Sequence, residues 1–315
     1  MKLHELARQV QALGLGTGSN ATKEQQRAVL ERLNIDWDSF YQEVEMDYPL
    51  VQTQQDVSET GDVVALHSHA YYEILFIRSG NLQYLIGTRR YRVQRGDILL
   101  LRPGVSHRPL FPEKFTEKYD RVVVWLSAEG IDMMQQNWSF LTALDRLPCV
   151  LRTSDISAES LAWFENGFRR GVKESEKAAP GWQAVVFANT LELITRMYRT
   201  FCSGEVPEPV EEKRELLDEL MSYVEDRLAE HINLEDTARH FHVSESTISQ
   251  LFRKRMGVSY YRYVTQRRLI AAKTMISEGS NLERVAEAVG FTDYSGFYRA
   301  FKQEYGISPT KFRSL

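Results

Sequence analysis

The spacing of apolar residues changes along this chain of 315 residues, and each change predicts a different kind of element. Near the start, Leu3, Leu6, Ala7, Val10 and Leu13 recur every three or four positions, the period of one helix face. The stretch from Gly14 to Asn20 breaks it. A second short helix is predicted from about Thr22 to Leu33, with Thr22 as N-cap and Gln25 completing a capping box. From about Val51 to Leu126 the pattern becomes short runs of β-branched and aromatic residues, at 72–77, 82–86, 91–93, 98–101 and 122–126. Turn signals separate them: Ser79-Gly80-Asn81, Gly87-Thr88, Arg95-Gly96-Asp97 and Pro103-Gly104. Many short strands at close spacing predict a barrel or sandwich. Helical spacing returns over about 158–176 and 182–201, with a break from Lys177 to Gly181. The acidic stretch 203–212 holds Pro207 and Pro209 and predicts a linker; everything after it reads as helix.

The helical part repeats itself. Leu234, Ala238, Phe241, Val243-Ser244, Ile248, Phe252 and Gly257 are matched by Leu282, Ala286, Val289, Phe291-Thr292, Phe297, Phe301 and Gly306, with one extra residue in the second copy. Each copy describes a short helix, a tight turn and a second helix opened by a hydroxyl N-cap, Ser244 or Thr292. The second helix of each copy buries one apolar stripe and leaves a polar, basic face. That is the pattern of helix-turn-helix units, here about 234–257 and 282–306, whose second helix lies in a major groove of DNA.

Charge supports this. The chain's formal net charge of −4 averages two unlike parts: from Arg239 onward 13 Lys and Arg face 6 Asp and Glu, a balance of +7, which leaves −11 for the rest. A basic end attached to an acidic remainder predicts that the end meets a polyanion. No apolar run is long enough to span a bilayer, and the N-terminus has no signal-peptide core, so no membrane role and a cytoplasmic location are expected. Cys149 and Cys202, isolated from each other, read as reduced thiols.

The run from Gly290 to Lys302 (GFTDYSGFYRAFK) and its ending from Tyr305 to Arg313 resemble the signature of AraC/XylS transcription regulators, a likeness covering about 216–315. The resemblance implies two helix-turn-helix units joined by one long helix, about 260–276, carrying Arg267, Arg268 and Lys273. Both recognition helices would then enter one face of the duplex, about one turn or ~34 Å apart. By position, Ser246, Thr247, Ser249 and Gln250 in the first unit and Tyr294, Ser295, Tyr298 and Arg299 in the second would meet base edges. Arg299 suits bidentate reading of guanine and Gln250 of adenine. Arg253, Lys254 and Lys302 would hold phosphates.

In the strand region, Gly61, His67, His69, Glu73 and Gly80, followed by Gly96-Asp97, Pro103-Gly104 and His107, resemble the two cupin motifs, although cupins more often carry Pro-x-Gly at the latter place. His67, His69, Glu73 and His107 stand where metal-binding cupins hold an ion, a donor set sound for a divalent metal. They equally suit a metal-free site for an organic effector. A continuous strand would turn His67, His69 and Glu73 to one face, and a β-bulge after His69 would break that parity. Trp125, Tyr84 and Tyr91 read as core or rim aromatics.

The expected fold is therefore α+β and multidomain: a helical extension (1–45), a cupin-like effector-binding barrel (46–130), a helical dimerisation and packing segment (131–203), a linker (204–214) and an all-α double helix-turn-helix domain (215–315). The expected function is a sequence-specific, effector-responsive transcription activator sensing a small polar molecule such as a carbohydrate. Its partners would be double-stranded DNA, a second copy of itself and RNA polymerase. A barrel used only for dimerisation, or a cupin metalloenzyme fused to a DNA-binding tail, are the alternatives.

Overall fold

The computed structural model describes residues 50–58, 64, 66–112, 117–152, 157–202 and 214–313. The two helices expected before residue 45, the glycine at 61 and most of the linker lie outside the described residues, as does the Cys202 side chain.

Eight strands come first: β1 (Val51–Ser58), β2 (Tyr72–Ser79), β3 (Leu82–Ile86), β4 (Arg89–Val93), β5 (Asp97–Leu101), β6 (His107–Leu110), β7 (Tyr119–Leu126) and β8 (Val150–Arg152). They form a five-stranded sheet, β1-β7-β2-β5-β8, and a three-stranded sheet, β4-β3-β6, all pairs antiparallel. The sheets face each other across a shared core. Leu75 and Ile77 of β2, Leu99 and Leu101 of β5, and Val123 and Trp125 of β7 pack against Tyr84 and Ile86 of β3 and Tyr91 and Val93 of β4. The barrel is thus two facing sheets, with no ladder closing them into one among the described residues.

The other face of the larger sheet is covered by helices. α1 (Ala128–Asn137) and a 3-10 helix (Ser139–Arg146) follow β7; α2 (Ala158–Lys177) and α3 (Trp182–Cys202) follow β8. Ile74, Phe76, Ile98, Leu100, Val122 and Val124, which alternate with the inner residues, bury themselves against Phe164, Phe168, Val186 and Ile194. Gly171 lets α2 lie close over β1, since a Cβ there would meet the Thr53 side chain at 3.3 Å.

The C-terminal helices are α4 (Leu216–Asp226), α5 (Leu234–His240), α6 (Glu245–Met256), α7 (Tyr260–Ser277), α8 (Leu282–Ala288), α9 (Tyr294–Tyr305) and α10 (Pro309–Arg313). They make two cores that share α7. Tyr260, Tyr263, Val264 and Ile270 join Leu220, Val224, Ile248 and Phe252. Leu269, Ala272 and Ile276 join Val285, Ala286, Phe297 and Phe301. Because α7 is buried on two sides, it lacks the single apolar stripe of a surface helix.

The two turns obey the repeat. His242 and Gly290 occupy matching places, and both are left-handed, with φ of 54° and 86°. The caps obey it less closely. Ser244 accepts from the Thr247 amide as expected, but in the second unit the cap is Asp293, which accepts from Gly296 N, rather than Thr292. The extra residue of the second copy moves the helix start by one position.

Candidate functional site

The helices α6 and α9 each present a polar outer face. On α6, Ile248, Phe252 and Met256 are buried, while Ser246, Thr247 and Gln250 are exposed and Ser249 is half-buried. The Ser244 hydroxyl lies 2.7 Å from that of Ser246 and 2.8 Å from that of Thr247, so the N-cap holds both hydroxyls near the helix start. Arg253 and Lys254 are exposed in the last turn. On α9, Phe297 and Phe301 are buried; Ser295, Arg299 and Lys302 are exposed, with Tyr294 and Tyr298 half-buried beside them.

Not all the basic residues of this domain face outward. Arg267 is buried and donates to Glu225 from Nε and Nη2 at 2.8 and 2.6 Å. Arg268 donates to the carbonyls of Leu228 and Glu230 at 3.0 and 2.6 Å. Lys273 sits over the rings of Tyr305 and Phe312. These groups lock α7 in place instead of offering charge to a ligand, so the basic balance read from composition overstates the outward charge.

The second cluster lies between the two sheets. His107 opens β6, and Glu73 follows the first residue of β2. His67 and His69 precede β2 on an irregular segment, so the two histidines do not share a continuous strand with Glu73, as the parity argument assumed. His67 instead forms an isolated bridge with His107, each amide donating to the other's carbonyl at 3.3 and 2.9 Å. Candidate ligand atoms of His69, Glu73 and His107 lie within 4.8 Å of one another. His67 stands outside that set and packs edge-on to His107, ring centres 4.4 Å apart.

The protonation of the cluster follows from its neighbours. His69 Nδ1 is 2.8 Å from the Tyr71 carbonyl, and His107 Nδ1 is 2.9 Å from that of Val105. A carbonyl only accepts, so both Nδ1 atoms carry hydrogen and each ring turns its Nε2 toward the cluster. These Nε2 atoms lie 3.3 and 3.1 Å from the same oxygen, Glu73 Oε2. His107 Nε2, 3.1 Å from Glu73 Oε2, has no other hydrogen-bond partner among the described residues. The other oxygen, Oε1, accepts from Trp125 Nε1 at 2.9 Å. Burial alone would raise the Glu73 carboxyl, but the neighbouring imidazoles hold it well below the usual carboxylate range. Burial pushes His69 the other way, below the ordinary imidazole value, against the pull of Glu73. Both Nε2 atoms thus converge on one carboxylate oxygen, an arrangement that a shared proton or a bound cation would hold together. The sequence spacing does not name Tyr71 and Trp125 as supports of this cluster. Tyr71 stacks on His69 with ring centres 4.0 Å apart, and Trp125, expected as a core or rim aromatic, donates to Glu73.

No helix among the described residues is long and apolar enough to cross a membrane. Residues 50–109 match the family model described as an AraC-like ligand binding domain, and residues 237–314 match a helix-turn-helix domain. The HTH-type transcriptional regulator YfiF of Bacillus subtilis is 27% identical over 265 residues, covering 79% of each chain. The HTH-type transcriptional activator RhaS of Salmonella arizonae is 23% identical over 261 residues, 78% of this chain and 86% of its own. A solved protein from Listeria innocua is 29% identical over 32% of this chain and 97% of its own, with a TM-score of 0.31. With an AraC-like ligand binding domain that contains the His-Glu cluster and a helix-turn-helix domain that contains both polar-faced helices, this chain has the domain make-up of AraC-type DNA-binding transcription regulators.

Proposed function

We propose that this regulator activates transcription in response to a small polar molecule, such as a carbohydrate, bound at His69, Glu73 and His107 with His67 at the rim. The observation that carries this reading is the convergence of His69 Nε2 and His107 Nε2 on Glu73 Oε2, with no other partner for His107 Nε2 among the described residues. Hydroxyl groups of an effector, which both donate and accept, would hydrogen-bond with these groups. A divalent cation fits the same donors: two imidazoles and a carboxylate, with Tyr71 O and Val105 O fixing the rings from behind. Bound there, the ion would supply a positive charge and open positions for ligand oxygen.

Elemental analysis of the full-length protein, with a thermal-shift screen against sugars and divalent metals, tests both branches. The expected result is bound metal, an effector-dependent shift, or both, and their loss in a folded His67→Ala, His107→Ala protein. A folded double variant that keeps full effector response in a reporter strain, from a parent that never held metal, removes this site from the mechanism.

On the DNA side, Ser246, Thr247, Ser249, Gln250, Tyr294, Ser295, Tyr298 and Arg299 are proposed to meet bases, and Arg253, Lys254 and Lys302 phosphates. Their placement on two exposed helix faces supports this. Residues 212–315 expressed alone are expected to bind promoter-derived duplexes with an affinity that falls steeply as salt rises, because phosphate contacts release counterions. A folded fragment with no salt-dependent shift on any such duplex overturns the assignment. We further propose that the protein works in the cytoplasm as a homodimer that contacts RNA polymerase. Exposed Val185 on α3 and exposed Met133 and Trp138 after β7 support pairing through the helical segment.

A further inference from the structure

The three-stranded sheet has two faces, and they serve different neighbours. Its register sets Leu85 opposite both Arg90 and Arg108, and Ile86 opposite His107. Side chains alternate along a strand, so Ile86 and His107 face the space between the sheets while Arg90, Leu85 and Arg108 form one row on the outside. That outer row is not in solvent. Leu85, with Leu66 and Leu110, packs into the core made by α4 and α6 of the DNA-binding domain. Arg90 makes a two-pronged bond to Asp218 near the start of α4, Nε to Oδ1 and Nη2 to Oδ2, both 2.7 Å. Its side chain is 1% exposed. Arg108 Nη1 donates to the Met256 carbonyl at 2.8 Å, in the last turn of the first recognition helix.

His107 and Arg108 are consecutive. One side chain belongs to the effector cluster and the next holds the end of α6. We propose that β6 is the transmitting element between them. Occupation of the cluster sets the position of the His107 backbone, already tied to His67, and Arg108 passes that position to the C-terminal turn of α6. The inference rests on the reading of the cluster as the effector site. It adds the route by which that site reaches the first helix-turn-helix unit within one chain, without a partner subunit. The groups available for such a link are costly to leave unpaired: Arg90 and Arg108 are both buried at the seam, so a shift of the sheet must carry the helices with it or lose the bonds.

Hydrogen exchange of the full-length protein, read by mass spectrometry at residues 253–258, tests this without any effector. Arg108→Met removes the donor and keeps the apolar stem; it should speed exchange there about fivefold. His107→Gln disturbs only the cluster side and should speed exchange at the same residues several-fold in the parent. It should add nothing in the Arg108→Met background, since the route is then already cut. Glu73→Gln serves as the second disturbance if His107→Gln does not fold. Acceleration by Arg108→Met with none from either cluster variant overturns transmission through β6. No change with Arg108→Met overturns the contact itself. Failure of the effector-site reading would appear elsewhere, as unchanged Zn²⁺ uptake and sugar-dependent thermal shift in His107→Gln, with the exchange pattern intact.

Discussion

Replacing Gly290 by alanine is expected to abolish DNA binding by destabilising the second helix-turn-helix unit. It sits in the turn between α8 and α9 with φ of 86°, which by itself disfavours an L side chain by about 1–2 kcal/mol. Space is the larger problem. A Cβ at this position would lie 2.2 Å from the Leu228 carbonyl oxygen and 2.9 Å from Arg268 Nη2. The first neighbour is backbone and cannot swing aside. That carbonyl also accepts from Arg268 Nε at 3.0 Å, so pushing it away breaks the bond tying α7 to the connection after α4. Strain and overpacking together should cost about 3–4 kcal/mol, a large share of a domain's stability. Urea unfolding followed by circular dichroism measures it. An unchanged midpoint would show that the turn relaxes without cost. His242, its left-handed counterpart in the first unit, should by contrast tolerate glycine with little loss.

Arg299→Ala is expected to lower specific DNA affinity by about 1–3 kcal/mol and to relax the preference at one base pair. Arg299 is exposed on α9, one turn after Ser295, with no ion pair among the described residues. Arg267 and Arg268 are nearby in the fold but already committed to Glu225 and to carbonyls. Lys302, also exposed in the last turn of α9, should behave differently: Lys302→Ala weakens every sequence alike, as a phosphate contact does. Binding-site selection on both variants separates the two roles. Equal, sequence-independent losses would place Arg299 among the phosphate contacts.

The strands richest in β-branched and aromatic residues were legible in the chain itself. Residues 82–86 are a strand with the expected ends, and the runs at 72, 98 and 122 sit inside longer ones. β6 was not legible. His107-Arg108-Pro109-Leu110 is short, polar and interrupted by proline, and only its pairing with β3 makes it a strand. β8 has three residues and exists by pairing with β5. The cupin-like spacing named His67, His69, Glu73 and His107; candidate ligand atoms of the last three lie close together, while His67 sits on the irregular segment before regular pairing begins at Tyr72. Arg90 and Arg108 carried no signal as single residues. Their meaning lies in a cross-strand row, and a row needs the register that no single segment contains.

The helix α7 is shared by two cores, and Arg267 and Arg268 fasten it to α4 and to the connection after it. In this arrangement one buried helix sets the spacing of the two polar-faced helices. On DNA it is expected to act as a caliper of fixed span. Any mismatch between that span and the groove repeat would then be taken up by the duplex, through bending that costs on the order of 1–6 kcal/mol. Stiffness of the base pairs lying between the two contacted grooves thus becomes part of operator choice, although no side chain of α6 or α9 need touch them.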